Sequence, residues 1–99
     1  MNISEIKEIL IKFREDRNWN KYHTDPELAR SLMIEAAELN RLFQWGQDPD
    51  DLILADEIAD NLIYCLYLCI NRGLNPVDII ETKIKKNAEK YPVSAKMEW

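Results

Sequence analysis

Nine consecutive residues, Leu62-Ile63-Tyr64-Cys65-Leu66-Tyr67-Leu68-Cys69-Ile70, carry no charge, and on a helix they leave no polar face wide enough for bulk water. Such a helix has to be covered by other helices, as the centre of a bundle or as an interface between copies. The stretch falls far short of the roughly 18 to 20 apolar residues that cross a bilayer, so protein rather than lipid must cover it. With only 2 Gly and 4 Pro and 46% apolar residues, the chain suits an all-α globular domain rather than a disordered or loop-rich one. Its 99 residues amount to a single domain spanning 1–99. A domain this small gains from further burial by self-association, and a homo-oligomer formed through the apolar third helix is expected.

Four helices can be read along the chain. Ser4 caps a first helix with Ile6, Ile9, Leu10 and Phe13 on one face, and the pattern fades at Asn18. After a polar and aromatic linker, Trp19 to Thr24, Asp25 and Pro26 supply the N-cap and first residue of a second helix that runs to about Trp45. Asp50 and Asp51 open the third helix, which stops at Gly73; acidic residues there suit the positive end of the helix dipole. Asn75 and Pro76 open the fourth, with Val77, Ile80, Ile84, Ala88 and Tyr91 as its buried stripe and Pro92 as its end.

The formal charge of −5 disfavours a binder of nucleic-acid polymers, which must neutralise phosphates. Residues 1–10 mix Glu5, Lys7 and Glu8 with apolar residues, unlike a signal peptide, and no segment is fit to span a membrane. Cys65 and Cys69 stack on consecutive helical turns and are expected as reduced core residues; with the lone His23 they make a poor zinc set. A cytoplasmic protein is expected.

The acids do not fit a featureless bundle. On the second helix Glu35 falls between Leu32, Leu39 and Leu42, in the middle of the apolar arc, and Glu38 lies near its edge. A lone ionised carboxylate buried there would cost several kcal/mol or stay protonated. After eighteen intervening residues Glu57 and Asp60 repeat the i, i+3 spacing, with Tyr64 on the next turn of the same side. An antiparallel pair joined at Gly46 to Asp51 sets the two acid pairs opposite each other. Oxygen-only ligands select a hard divalent cation, Mg²⁺ first and Mn²⁺ as a substitute. Residues 25–60 carry ten acids against two bases, whereas residues 83–96 carry five lysines against one Glu. An acidic metal centre beside a basic flank suits a polyphosphate.

Glu35-Ala36-Ala37-Glu38-Leu39, Phe43-Gln44-Trp45, Glu57-Ile58-Ala59-Asp60-Asn61-Leu62-Ile63-Tyr64 and Asn87 with Tyr91-Pro92 resemble the MazG-like nucleotide pyrophosphohydrolases, in particular the small dCTP pyrophosphatase branch. The similarity runs from about Phe13 to Pro92. It implies a four-helix MazG-like bundle that assembles as a dimer or a dimer of dimers. It also implies Mg²⁺-dependent hydrolysis of a nucleoside triphosphate between the α and β phosphates, giving the monophosphate and pyrophosphate. By the same resemblance Glu35, Glu38, Glu57 and Asp60 are metal ligands and catalytic residues, and Glu38 takes a proton from the attacking water. Tyr64, Lys83 and Asn87 then line the nucleotide site, while Trp19, His23 and Trp45 surround base and sugar. The connection between the acid pairs is shorter than in the animal dCTP enzymes, and the tail after Pro92 is abbreviated.

Such chemistry asks for position and charge. A divalent ion neutralises phosphate and acidifies a water, and Lys83, with Lys96 as a second candidate, meets the phosphate tail in place of a glycine-rich loop. Two other readings stand beside this one. The acids form a solvated face that binds a basic partner, or the chain is a regulatory oligomer that binds metal without turnover.

Overall fold

The computed structural model describes residues 1–93; Lys96 and the rest of the tail lie outside the described residues. Among the described residues four helices follow one another: α1 (Ile3–Asp16), α2 (Asp25–Arg41), α3 (Asp51–Arg72) and α4 (Pro76–Lys90), with a 3-10 turn at Gln44–Gly46. No strand occurs among the described residues.

The ends of these helices have specific causes. Asn2 rather than Ser4 caps α1, its Oδ1 accepting the Glu5 N–H at 2.9 Å. At the other end Asn18 adopts a left-handed conformation, φ 54°, which Asn tolerates better than most residues. The Trp19 N–H then donates to the Arg14 carbonyl and the Asn18 N–H to that of Glu15, each at 3.0 Å, closing the helix in a Schellman motif that projects Trp19. Gly73, φ 65°, ends α3 in the same way, with Leu74 N–H on the Cys69 carbonyl at 2.9 Å. Asp50 and Asn75 cap α3 and α4 through their side chains.

Two boundaries differ from the sequence reading. Thr24, not Asp25, is the N-cap of α2, and Asp25 is the first helical residue. The Asp25 carboxylate is taken up elsewhere, by the Asn71 Nδ2 at 3.0 Å and the Arg72 Nε at 3.3 Å. The second helix also stops at Arg41 instead of near Trp45: Phe43 already leaves helical geometry, φ −102° and ψ 8°, and Trp45 is left-handed, φ 61°, which no α-helix accommodates.

α2 and α3 form the main packed pair. Asp25 at the start of α2 meets Arg72 at the end of α3, so the two run antiparallel. α1 lies against the C-terminal half of α3, where the Tyr67 hydroxyl donates to the Leu10 carbonyl at 2.9 Å and Arg14 donates to Asn71 at 2.8 Å. Among the described residues only Leu28, Tyr67 and Arg14 are buried. α4 has no helix lying along it, and the expected buried stripe is uncovered: Val77, Ile80 and Ile84 are exposed. The same holds on α3 for Ile58, Leu62 and Cys65, so Cys65 is not a core residue in the single chain; both cysteines are free. Burial pushes the Cys69 thiol up, with Cys65 adding to it. No helix of the described residues is long and apolar enough to cross a membrane.

Candidate active site

The antiparallel pairing converts two helical acid pairs into one cluster. Glu35 from α2 and Glu57 and Asp60 from α3 each present a carboxylate oxygen, and these oxygens lie within 4.8 Å of one another. Asn61 ties the two helices together beside them, its Nδ2 donating to the Glu57 carbonyl at 2.8 Å and to the Glu35 carbonyl at 3.3 Å. Glu35 is half-buried, in keeping with its place on the apolar arc. Burial pushes its carboxyl above the usual range; the charges of Asp60 and Glu57, a hydrogen bond with Glu57 and the charge of Glu38 push the same way. Glu57 Oε2 is buried with no hydrogen-bond partner. Three crowded carboxylates, one with an orphaned oxygen and one resisting ionisation, form a donor set that a hard divalent cation satisfies.

Glu38 lies outside this group. Its Oε1 is 3.7 Å from Arg41 Nη1, and its side chain lines an open groove of about 690 Å³ together with Trp45. Trp45 is 90% exposed there and does not line the hollow at Asp60. Lys83 and Asn87 sit on α4; Lys83 borders a shallow hollow lined only by α4 residues.

The other aromatic candidates converge. Trp19, His23 and Tyr64 line a cavity of about 340 Å³ with Leu10, Phe13, Ile63 and Tyr67, and Asp60 of the acid cluster forms part of its wall. This volume is in the range of small-molecule sites. The rings contact one another in sequence: Phe13 to Trp19 with centroids 5.7 Å apart, Trp19 to His23 at 5.7 Å, His23 to Tyr67 at 4.8 Å. Burial, then the Arg14 guanidinium, lowers the His23 pKa from its usual 6.5, so the imidazole is neutral near pH 7, and its Nδ1 is buried without a partner. Phe13 and Tyr67 were absent from the sequence reading of the site. Helical periodicity assigns both to the core, and only the fold shows that this part of the core is a hollow.

The sequence pattern of the MazG-like family matches residues 30–99, a span that includes all four acids. Dimensional similarity is also high: the chain superimposes on a pyrophosphatase from Archaeoglobus fulgidus with a TM-score of 0.81 and 41% identity, covering 91% of this chain and 92% of that one. The dCTP pyrophosphatase 1 of Mus musculus is 27% identical over 101 residues, and that of Homo sapiens 26% over 100. These alignments take in 92% and 91% of this chain, yet the chain spans only 59% of the length of either mammalian protein.

Proposed function

This chain belongs to the MazG-like family, and on that footing we propose that it is a Mg²⁺-dependent nucleotide pyrophosphohydrolase. It converts a nucleoside triphosphate, dCTP or a modified deoxynucleoside triphosphate, to the monophosphate and pyrophosphate, and it works in the cytoplasm. The observation that carries this reading is the shared wall at Asp60, where the acid cluster opens onto the aromatic cavity. A base and sugar lodged among Trp19, His23 and Tyr64 would have their phosphates emerge at the carboxylates. The similarity to pyrophosphatases and dCTP pyrophosphatases supports the same reaction.

Glu35, Glu57 and Asp60 hold the ion in this reading, with Glu38 one turn on as the fourth acid. The ion, Mg²⁺ or in substitution Mn²⁺, supplies charge neutralisation for the phosphates and a water of lowered pKa. Asn61 fixes the helix register that keeps the three acids together. Glu38 is half-buried and near enough to raise the proton affinity of Glu35, and it takes the proton of the attacking water. Lys83 and Asn87 meet the phosphate tail from α4, and Trp45 closes the base side. In the single chain neither α4 nor Trp45 is at the cavity, so the site is completed by a second copy in a dimer or a dimer of dimers. A solvated acidic face for a basic partner does not account for a buried, unpartnered Glu57 oxygen.

The decisive measurement is the phosphorus product. With Mg²⁺ present, incubation with each common and modified triphosphate should release pyrophosphate and monophosphate, and Asp60→Asn should lower kcat by about 100-fold or more. Orthophosphate as the product, or no turnover of any triphosphate by the unmodified protein, overturns the proposal.

A further inference from the structure

We propose that Asn71, one turn beyond Tyr67 on α3, is a positioning residue that sets the affinity of the aromatic cavity without lining it. The inference rests on the reading of that cavity as the base and sugar pocket.

The wall formed by Trp19 and His23 belongs to the linker between α1 and α2, which has no regular structure to hold it against α3. Its backbone hydrogen bonds are local: Tyr22 and His23 N–H groups both return to the Trp19 carbonyl. The long-range hydrogen bonds come from Asn71. Its Nδ2 donates to the His23 carbonyl at 2.8 Å and to Asp25 Oδ1 at 3.0 Å, so the amide grips the linker's end and the first residue of α2. Its Oδ1 accepts from Arg14 Nη1 at 2.8 Å. One amide therefore engages both donor hydrogens and its acceptor, and joins the end of α1, the linker, the start of α2 and the end of α3.

Arg14 makes the arrangement unusual. It is a buried cation with no carboxylate against it among the described residues; its guanidinium sits 5.0 Å from the Tyr67 ring centroid, and its Nε has no partner. Tyr67 is in turn held by its hydroxyl to the Leu10 carbonyl and packs its ring on His23. Arg14, Tyr67 and Asn71 thus form a linked back plate, and the His23 carbonyl is the point at which the linker wall of the pocket is fastened to it. Asn71 lines neither the cavity nor the acid cluster.

Asn71→Asp tests the idea, because it keeps an acceptor for Arg14 while removing the donor to His23 and setting a carboxylate against Asp25. The variant should raise KM for the preferred triphosphate about tenfold, with kcat within about twofold, the signature of lost binding common to ground and transition states. The Mg²⁺ concentration that half-stabilises the protein against heat should not move. Amide hydrogen exchange should quicken in residues 17–24 and stay unchanged in residues 35–60. Adding Asp25→Asn relieves the clash of carboxylates but returns no donor to the His23 carbonyl, so KM should stay raised; recovery of the parental KM in the double variant would show that charge repulsion, and not the lost His23 bond, weakened binding. An active parent whose Asn71→Asp variant keeps the parental KM overturns the positioning role alone, as does a variant in which kcat falls and exchange quickens throughout. A parent that hydrolyses no triphosphate overturns the functional reading, and this consequence of it as well.

Discussion

Glu35 concentrates the conflict between folding and function in one side chain. Its carboxyl holds its proton more tightly in the fold than the ordinary value of 4.5, chiefly because it is buried and secondly because Asp60 and Glu57 face it. Linkage then has a definite sign. Ionised Glu35 costs stability, and this cost is absent below pH 4.5, grows as pH rises through the raised pKa and is fully present above it. Glu35→Gln removes the cost. Without divalent ions the variant should melt above the parent at neutral pH and level with it near the low end of that window, as calorimetry across the pH range would show. With Mg²⁺ the order should reverse, because ion binding to the folded state stabilises the parent and not the variant. The same substitution should cut turnover by about 100-fold. A variant no more stable than the parent at neutral pH would mean that Glu35 is not under electrostatic pressure. The conflict itself was legible in the sequence, since a glutamate on a leucine arc has few explanations. The Arg14–Asn71 contact was not: those residues are 57 positions apart, and no local pattern pairs an arginine with a distant asparagine.

At the scale of elements, the helix ends were read best where a residue has one conformational reason to be present. Gly73 is such a case, with φ 65° and Leu74 and Gly73 N–H groups returning to the last turn of α3. A Cβ at this position would meet no atom within 4 Å, so the only penalty for Gly73→Ala is the left-handed backbone. That penalty is about 1 kcal/mol, which for a domain of this size lowers Tm by about 4–8 °C. Gly73→Asn should lose less, since Asn tolerates the region; thermal unfolding of the two variants checks both, and equal losses would point to a steric cause instead. Where a side chain has rival partners, the reading slipped. Asp25 was expected to cap α2, yet the chain ends of α3 compete for its carboxylate and win, leaving Thr24 at the cap without a side-chain hydrogen bond. Trp45 shows the same limit: nothing local forecasts that a tryptophan will take a left-handed conformation just beyond a second helix that ends early.

The whole molecule is more open than its length calls for. A compact chain of about 100 residues has a radius of gyration of roughly 13 Å, whereas this one has 16.2 Å and extends 49 × 36 × 28 Å. The excess comes with uncovered apolar side chains in two places, Ile80 and Ile84 on α4 and Ile58 and Leu62 on α3, with Leu62 58% and Ile84 54% exposed. Contiguous apolar faces of this kind mark association surfaces in folded proteins. The helical pattern forecast the α4 stripe as buried, and in the single chain it is exposed, because one sequence does not say whether the cover for an apolar face comes from the same chain or another. On the proposed reading, self-association answers both needs: it covers α4, and it brings Lys83 and Asn87, which line neither the cavity nor the acid cluster of their own chain, to a site. Sedimentation should therefore give a multiple of the 11.7 kDa chain mass, with Tm rising as protein concentration rises. Ile84→Glu together with Leu62→Glu places charges on both faces, touches none of the three clustered acids and should return the protein to 11.7 kDa with Tm independent of concentration. Turnover should fall by at least about tenfold in that variant, because each pocket then lacks what the second copy contributes. A monomeric variant with parental kcat and KM would show instead that each chain carries a complete site, and that Lys83 and Trp45 belong to the surface and not to the chemistry.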